Sequence, residues 1–381
     1  MNFDLTENQK MIQDMMRKFA KEELEPKAAE LDKTGEFPIE NIKKLAELGI
    51  LGMVVPEQYG GAGFDFVSLA IAIEEISRAC GSTGVITAVH NSLACYPILN
   101  WGTEEQKKKY LPKMAIGEKL GAFALTEPNA GSDPSSLETT AKLDGKYYIL
   151  NGTKRFITNA GKADVFVIIA TTDKTKGNKG ICAFIVDRDS PGFSVGKHED
   201  LMGLRATANT EIILEDCKVP KENLLGQEGQ GFKLALSLLD VSRIDIGAQA
   251  VGISQAALDK SIQYSKERKQ FGRAISEFEL IQAKLAEMAM KIQAARLLTY
   301  YAAFMKDKGV ARFSQESSIA KLYAATISVE VTREAVQIFG GYGYSKDYAV
   351  ERYYRDAKCM EIYEGTSEIQ KIVIARNLLG N

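Results

Sequence analysis

The sequence predicts an α+β multidomain fold: an N-terminal helical domain, a central antiparallel β domain and a C-terminal four-helix-bundle-like domain. Three observations carry this. Apolar residues recur at helical spacing over residues 1–118, short β-type runs separated by turn signals fill 119–226, and long helical patterns with few prolines fill 227–381. A chain of 381 residues also exceeds the roughly 250–300 residues at which a single core stops growing, so more than one domain is expected.

Helix signals open the chain. Leu5, Gln9, Ile12, Met16, Phe19 and Ala20 share one helical face, and Thr6 with Gln9 reads as a capping box. Phe37-Pro38 starts a second helix that stops at Leu48-Gly49, and Pro56 with Gly60-Gly61 punctuates a loop. Apolar segments follow at 69–76 and 85–99. Thr103 opens a short helix whose charges (Glu104, Glu105, Lys107, Lys108, Lys109) read as a solvated face.

The middle of the chain changes period. Runs at 147–150, 165–170, 181–186 and 210–214 are separated by Asp144-Gly145, Asn151-Gly152 and Pro191-Gly192. No helical pattern lies between them, so an antiparallel sheet is expected. Helical segments then run at 232–268, 276–308 and 314–339, with a last helix at 369–379.

Composition removes several classes of function. Lys plus Arg number 48 against 50 Asp plus Glu, a net charge of −2, which offers no field for nucleic acid or an anionic membrane. Two histidines, His90 and His198, leave little for a histidine-rich metal site, and no metal is expected. Five cysteines without CxxC spacing read as reduced thiols of a cytosol-like compartment. The start, MNFDLTENQK, has no apolar signal region, and no apolar run reaches the roughly 18 residues of a membrane span. Bacterial cytoplasm is the expected location, or the mitochondrial matrix if a transit peptide has been removed.

Four local patterns invite chemistry. Gly192-Phe193-Ser194-Val195-Gly196 matches a GxSxG nucleophile elbow, but it lacks the strand entering and the helix leaving, and His198 stands too near to serve a triad. Gly340-Gly341-Tyr342-Gly343 follows a helix rather than a strand, which excludes a dinucleotide fingerprint and fits a helix end and turn, with backbone open to an anion. ALTEPNAGSD (124–133) ends a β run in a loop dense in Thr, Ser, Gly and Pro, a plain turn or a cradle for a heteroaromatic ring or phosphate. In EIYEGTSE (361–368), Glu364 precedes Gly365 on a loop before the last helix, which Thr366 or Ser367 would cap. Spacing alone fits either an exposed Glu beside a cap or a general base over an apolar pocket.

Taken together, ALTEPNAGSD, RKQFG (268–272), QIFGGYGYSKDYAVERYYRD (337–356) and IYEGTSEIQ (362–370) closely resemble the acyl-CoA dehydrogenase family, over nearly the whole chain and in the right order. The nearest likeness is to short-chain, butyryl-CoA-type members. The resemblance implies FAD as cofactor and removal of two hydrogens from the α and β carbons of an acyl-CoA thioester. Glu364 matches the base, taking the α proton while the β hydrogen leaves as hydride to flavin N5. The thioester oxygen is held in the family by the N–H of the base and a flavin ribityl hydroxyl, an oxyanion hole for the developing enolate. Some relatives carry the base on a bundle helix instead; Ser242 stands at that position here and cannot serve.

The resemblance further implies flavin contacts at Phe123, Leu125, Thr126 and Ser132, and at Phe156 and Thr158, with Phe156 where many relatives have Trp. Thr366 and Glu368 lie toward the pyrophosphate and adenine. A neighbouring subunit supplies Arg268, Phe271, Gln337, Gly340 and Gly341. Gln270 and Glu279 depart from the residues usual at FAD-contact positions, a small residue and Gln. Ser132, Asp240, Arg243, Tyr363 and Gly365 match substrate positions, with Arg243 and Asp240 toward the adenosine end of CoA. Residues 84–93 resemble the short-chain form of the helix that ends the acyl tunnel, which implies a shallow pocket. Partners implied are an acyl-CoA substrate, an electron-transferring flavoprotein and a homotetramer built as a dimer of dimers. Alternatives that stay open are a branched or cyclic acyl group, and enoyl-CoA reduction in the reverse direction.

Overall fold

The structure, a computed structural model, describes residues 4–380; the first three residues of the N-terminal segment and Asn381 lie outside the described residues. Helix α1 (Glu7–Phe19) begins where the capping box places it. Thr6 Oγ1 accepts from the Gln9 N–H, the Gln9 side chain accepts from the Thr6 N–H at 3.0 Å, and Gln9, Ile12 and Met16 are buried. The helix continues as a π turn, Ala20–Leu24. A short helix without a sequence signal, α2 (Ala28–Thr34), follows, then α3 (Ile39–Glu47), which stops at Gly49 in the left-handed region as expected.

Asp65 caps α4 (Phe66–Ala79), which is buried along most of its length. Helix α5 (Gly81–Ala88), a π-helical stretch (Val89–Cys95) and α6 (Tyr96–Trp101) form one apolar rod. Thr103 and Gln106 form a second capping box at the start of α7 (Glu104–Ala115).

The strands are β1 (Gly121–Ala124), β2 (Thr140–Asp144), β3 (Tyr147–Ile157), β4 (Val165–Thr171), β5 (Ile181–Asp187), β6 (Phe193–His198), β7 (Thr210–Pro220) and β8 (Leu224–Leu225). They form one sheet in the order β6-β7-β3-β2-β4-β5-β8, with β1 on β4. The expected all-antiparallel pairing is corrected at β4, which has two parallel neighbours: β1, Gly121 opposite Val165 through Ala124 opposite Ile168, and β2, at Thr140 and Thr171. A parallel neighbour needs a long crossover, and the loop at 125–139 with the β2–β3 hairpin supplies it.

Period 2 sorts the sheet's side chains into two cores. Val165, Val167 and Ile169 of β4 and Ile181, Ala183 and Ile185 of β5 join the core shared with the helices. Their alternates, Phe166, Ile168 and Ala170, and Cys182, Phe184 and Val186, face a second core closed by Tyr148, Leu150, Ile212, Leu214, Cys217 and Val219. The GxSxG decoy falls here: Ser194 lies on β6 paired with Ile213, with no elbow.

After the sheet come α8 (Gly231–Glu267), a small ribbon of β9 (Lys269–Gln270) and β10 (Arg273–Ala274), α9 (Glu279–Asp307), α10 (Ser314–Phe339), α11 (Val350–Met360) and α12 (Ser367–Leu379). Gly340 ends α10, as the glycine-rich run implies, and Thr366 caps α12. Helix α8 crosses α4 so closely that a Cβ on Gly252 would stand 2.2 Å from the Glu74 carbonyl oxygen. Beside that crossing the buried Glu74 carboxylate accepts from Arg296 Nε at 2.9 Å and from the Tyr300 hydroxyl at 2.8 Å, tying α4 to α9.

A second buried tie fixes the loop at 125–139. Lys154 on β3 is fully buried and donates to Glu127 Oε1 at 2.7 Å and to the Leu125 carbonyl at 3.0 Å. Glu127 also accepts the Thr139 N–H at 3.0 Å and the Glu138 N–H, and the Arg155 N–H donates to the Thr126 carbonyl at 2.9 Å. The ion pair is therefore satisfied on both sides, as a buried pair must be.

Two outcomes follow. Gly252→Ala forces α4 and α8 apart and lowers stability by about 1–3 kcal/mol, read as a drop in the denaturant midpoint. Lys154→Met strands the Glu127 carboxylate and lowers stability by about 3–5 kcal/mol. A K154M protein with the wild-type midpoint shows that this pair does not hold the loop.

Candidate active site

A cavity of about 690 Å³ lies where the sheet meets the bundle. That volume falls within the roughly 300–1,000 Å³ of small-molecule sites. One wall comes from the β domain: Phe123, Leu125, Thr126 and Ser132 from β1 and the loop after it, and Phe156 and Thr158 from the end of β3. The facing wall carries Arg243 of α8 with Tyr363, Glu364 and Gly365 of the segment before α12. Val89 and Leu93 of the π-helical stretch and Leu239 of α8 add apolar surface. The ring-facing and base-facing candidates of the sequence thus share one cavity.

The segment that carries Glu364 is strained. Glu364 has φ +55° and Gly365 φ +91°. Glycine accepts the left-handed region freely, whereas glutamate does so at a cost of about 1–3 kcal/mol. Gln370 Nε2 bonds the Glu364 carbonyl at 3.0 Å and the Gly365 carbonyl at 2.8 Å, and Lys321 Nζ bonds the Gly365 carbonyl at 2.7 Å. The Glu364 N–H makes no hydrogen bond among the described residues.

Glu364 lines the cavity and is half-buried. Burial pushes its pKa up; the Ser242 hydroxyl, which donates to Glu364 Oε2, and the charges of Lys321 and Arg243 oppose that rise. Ser242, excluded as a base, is thereby a partner of the Glu364 carboxylate. Tyr363, beside it, donates to Gln249 Oε1 and to Met360 Sδ at 3.2 Å, which fixes its ring.

Arg243, expected toward an adenosine end, lines the same cavity as Glu364, and its charge acts on that carboxylate. Its guanidinium is 4 % exposed, pairs with Asp240 at 2.7 Å, reaches Ser318 at 3.3 Å and leaves Nε buried without a partner. Asp240 accepts from Ser314 as well. Both residues ride on α8, Arg243 in the cavity wall and Asp240 beside it, so their depth follows from the helix that carries them.

The remaining candidates lie elsewhere. Arg268, Gly340 and Gly341 line a separate cavity of about 560 Å³ with Gln270 and Tyr342. Phe271 is 94 % exposed, and Gln337 and Glu279 are exposed on α10 and α9. Thr366 accepts from the Ile369 N–H as the α12 cap, and Glu368 is exposed in the first turn. Among the described residues no cluster of His, Cys, Asp and Glu could hold a metal, and no helix is long and apolar enough to cross a membrane.

Sequence reasoning missed three side chains. Lys154 and Lys321 sit in ordinary strand and helix patterns, and Gln370 looks like any first-turn residue. The one available signal was a lysine inside the small, apolar stretch SSIAKLYAA (317–325).

The donor set of the first cavity suits a flavin. Aromatic and aliphatic faces (Phe123, Leu125, Phe156) stand beside hydroxyls (Thr126, Ser132, Thr158), as a planar ring with a polar edge requires.

Comparison with known proteins agrees. Family models of the acyl-CoA dehydrogenase N-terminal, middle and C-terminal domains match residues 6–118, 122–217 and 229–379. The short-chain specific acyl-CoA dehydrogenase of Clostridium acetobutylicum is 51 % identical, over 98 % of this chain and 99 % of its own. Butyryl-CoA dehydrogenase from Megasphaera elsdenii superposes with a TM-score of 0.98 at 46 % identity over all of both chains. A chain of the structure described as the electron transferring flavoprotein of Acidaminococcus fermentans, a study toward the mechanism of flavin-based electron bifurcation, gives 0.98 at 50 % identity, again over all of both chains. The chain belongs to the acyl-CoA dehydrogenase family, whose members are FAD-dependent enzymes.

Proposed function

We propose that the protein dehydrogenates a short-chain acyl-CoA thioester between its α and β carbons, with Glu364 as the base. The observation that carries this reading is one residue placing two groups at one cavity: a carboxylate whose proton affinity burial has raised, and a backbone N–H left free. Bound FAD supplies the acceptor for the β hydride. Phe123, Leu125, Thr126, Ser132, Phe156 and Thr158 would hold its ring.

The chain's own residues do the rest. Glu364 takes the α proton, and its N–H stabilises the thioester oxygen as negative charge grows there. Ser242 and the Lys321 and Arg243 charges favour the carboxylate and offset part of the rise that burial imposes. Displacement of water by the acyl chain against Val89, Leu93 and Leu239 strengthens every polar contact in the site.

Substrate contacts are assigned to Ser132, Asp240, Arg243, Tyr363 and Gly365. The remaining FAD contacts go to Thr366 and Glu368, to Glu279, and, across a dimer interface, to Arg268, Phe271, Gln337, Gly340 and Gly341 of the neighbouring copy. Exposed apolar side chains support assembly into a homotetramer: Leu280, Met290, Leu297, Tyr301 and Phe304 on α9, and Leu378 and Leu379 on α12. Electrons leave to an electron-transferring flavoprotein. The likeness to a chain from a bifurcation study favours, as a second reading, operation of the same site as an enoyl-CoA reductase.

The test is a visible spectrum of the purified protein before and after anaerobic butyryl-CoA. A yellow protein that bleaches is expected. Glu364→Gln keeps the yellow colour and bleaches about 10²–10⁴-fold more slowly. Unimpaired bleaching by E364Q removes Glu364 from the role, and a colourless protein that refuses added FAD overturns the cofactor.

A further inference from the structure

Lys321 is an anomaly of charge. It is fully buried on α10, between small buried residues of the same helix, Ser317, Ser318, Ala320, Ala324 and Ala325. A lysine is placed at such depth only when something compensates its lost hydration. No carboxylate ion-pairs with it among the described residues. Its one hydrogen bond goes to the Gly365 carbonyl at 2.7 Å, the carbonyl that Gln370 also bonds at 2.8 Å. It does not line the cavity and so touches no substrate.

We propose that Lys321 is a positioning residue for the base: its ammonium pins the Glu364–Gly365 backbone in the left-handed turn, and its charge favours the ionised carboxylate one residue away. The proposal rests on Glu364 being the base. Burial lowers the Lys321 pKa to about 8, Glu364 is the charge that most opposes the fall, and Arg243 works in the other direction. Cys359 and Glu361 are the remaining titratable groups that face it. Around Glu364 itself stand Ser242 and Arg243 from α8, Lys321 from α10, Asp245 one turn along α8 and Tyr363 on its own segment. Lys321 and Arg243 are the cations of that set. Arg243 is already engaged by Asp240 at 2.7 Å, which leaves Lys321 as the cation that no carboxylate ion-pairs.

The sign is fixed by this arrangement. With Lys321 charged, the Glu364 pKa sits lower than burial alone would set it. Removing the charge raises it, so the acid limb of the rate, which climbs as Glu364 loses its proton, moves to higher pH.

The experiment uses FAD-loaded protein, anaerobic butyryl-CoA bleaching followed across pH, and hydrogen–deuterium exchange over residues 361–367. Lys321→Met is expected to slow bleaching about 10²-fold, shift the acid limb up by about one pH unit and speed exchange in the segment. Gln370→Leu removes carbonyl contacts without changing charge, and is expected to speed exchange and slow bleaching with the limb in place. Lys321→Arg keeps the cation and keeps the limb. A K321M enzyme with wild-type limb and wild-type exchange overturns the proposal, as does a limb that shifts equally in K321R. Should K321M fail to fold, Q370L and K321R decide by the same two readouts. If the wild type itself does not bleach, the dehydrogenation reading fails, and the exchange comparison still decides whether Lys321 holds the turn.

Discussion

Both faces of β4 and β5 are buried, and much else in the molecule hangs on that. A strand with water on one side could belong to the β domain alone. These two strands contribute alternate residues to two cores, so the sheet has no free surface along its middle and cannot separate from the helices without exposing Val165, Val167, Ile169 and Ile185. Glycine lets α8 close on the same strands: a Cβ on Gly231 would stand 2.3 Å from the Cys182 carbonyl carbon. The cavity sits at this seam. Its two walls come from different parts of the chain, and the shared core is what keeps their distance constant, which catalysis by positioning requires.

Near the seam the chain buries charge, and it does so in compensated sets. Lys154 with Glu127 holds the loop of one wall. Asp240 with Arg243, and Lys321 with the Gly365 carbonyl, stand behind the other. None of these is efficient as a source of stability, since apolar residues of equal volume would serve as well or better. Their value is directional: a hydrogen-bonded ion holds a neighbouring backbone at one angle, whereas an apolar contact tolerates sliding.

How much of this was legible depends on the range of each interaction. The capping boxes at Thr6 and Thr103, the stop at Gly49 and the end of α10 at Gly340 were readable because each is settled within four residues. The strands were readable by period 2, but the parallel pairing of β1 was not, because partner choice depends on where the chain returns after more than forty residues. Glu364 and the ring-facing residues came from motifs. Lys321 and Lys154 meet their partners across 44 and 27 residues, with nothing in local spacing to announce it. The depth of Arg243 is likewise not local: its residue type says cation, while α8 decides how far from water the cation lies.

The strained turn gives a reason for Glu364 to stand on a loop rather than on a helix. Inside an α-helix the Glu364 N–H would be bonded to the carbonyl four residues back and lost to any ligand. At the break before α12 the left-handed Glu364 makes no hydrogen bond through its N–H among the described residues, and the residue lines the cavity. The conformation costs about 1–3 kcal/mol in a residue with a Cβ. A charged hydrogen bond to a carbonyl contributes about 1.5–3 kcal/mol, so the Lys321 bond alone is of the size needed to hold the turn, and Gln370 adds to it. The opposite wall repeats the device: Phe156, on the ring-facing side, also has positive φ, at +58°. Left-handed residues therefore sit on both sides of the cavity, and a buried lysine bonds backbone near each: Lys321 at the Gly365 carbonyl and Lys154 at the Leu125 carbonyl.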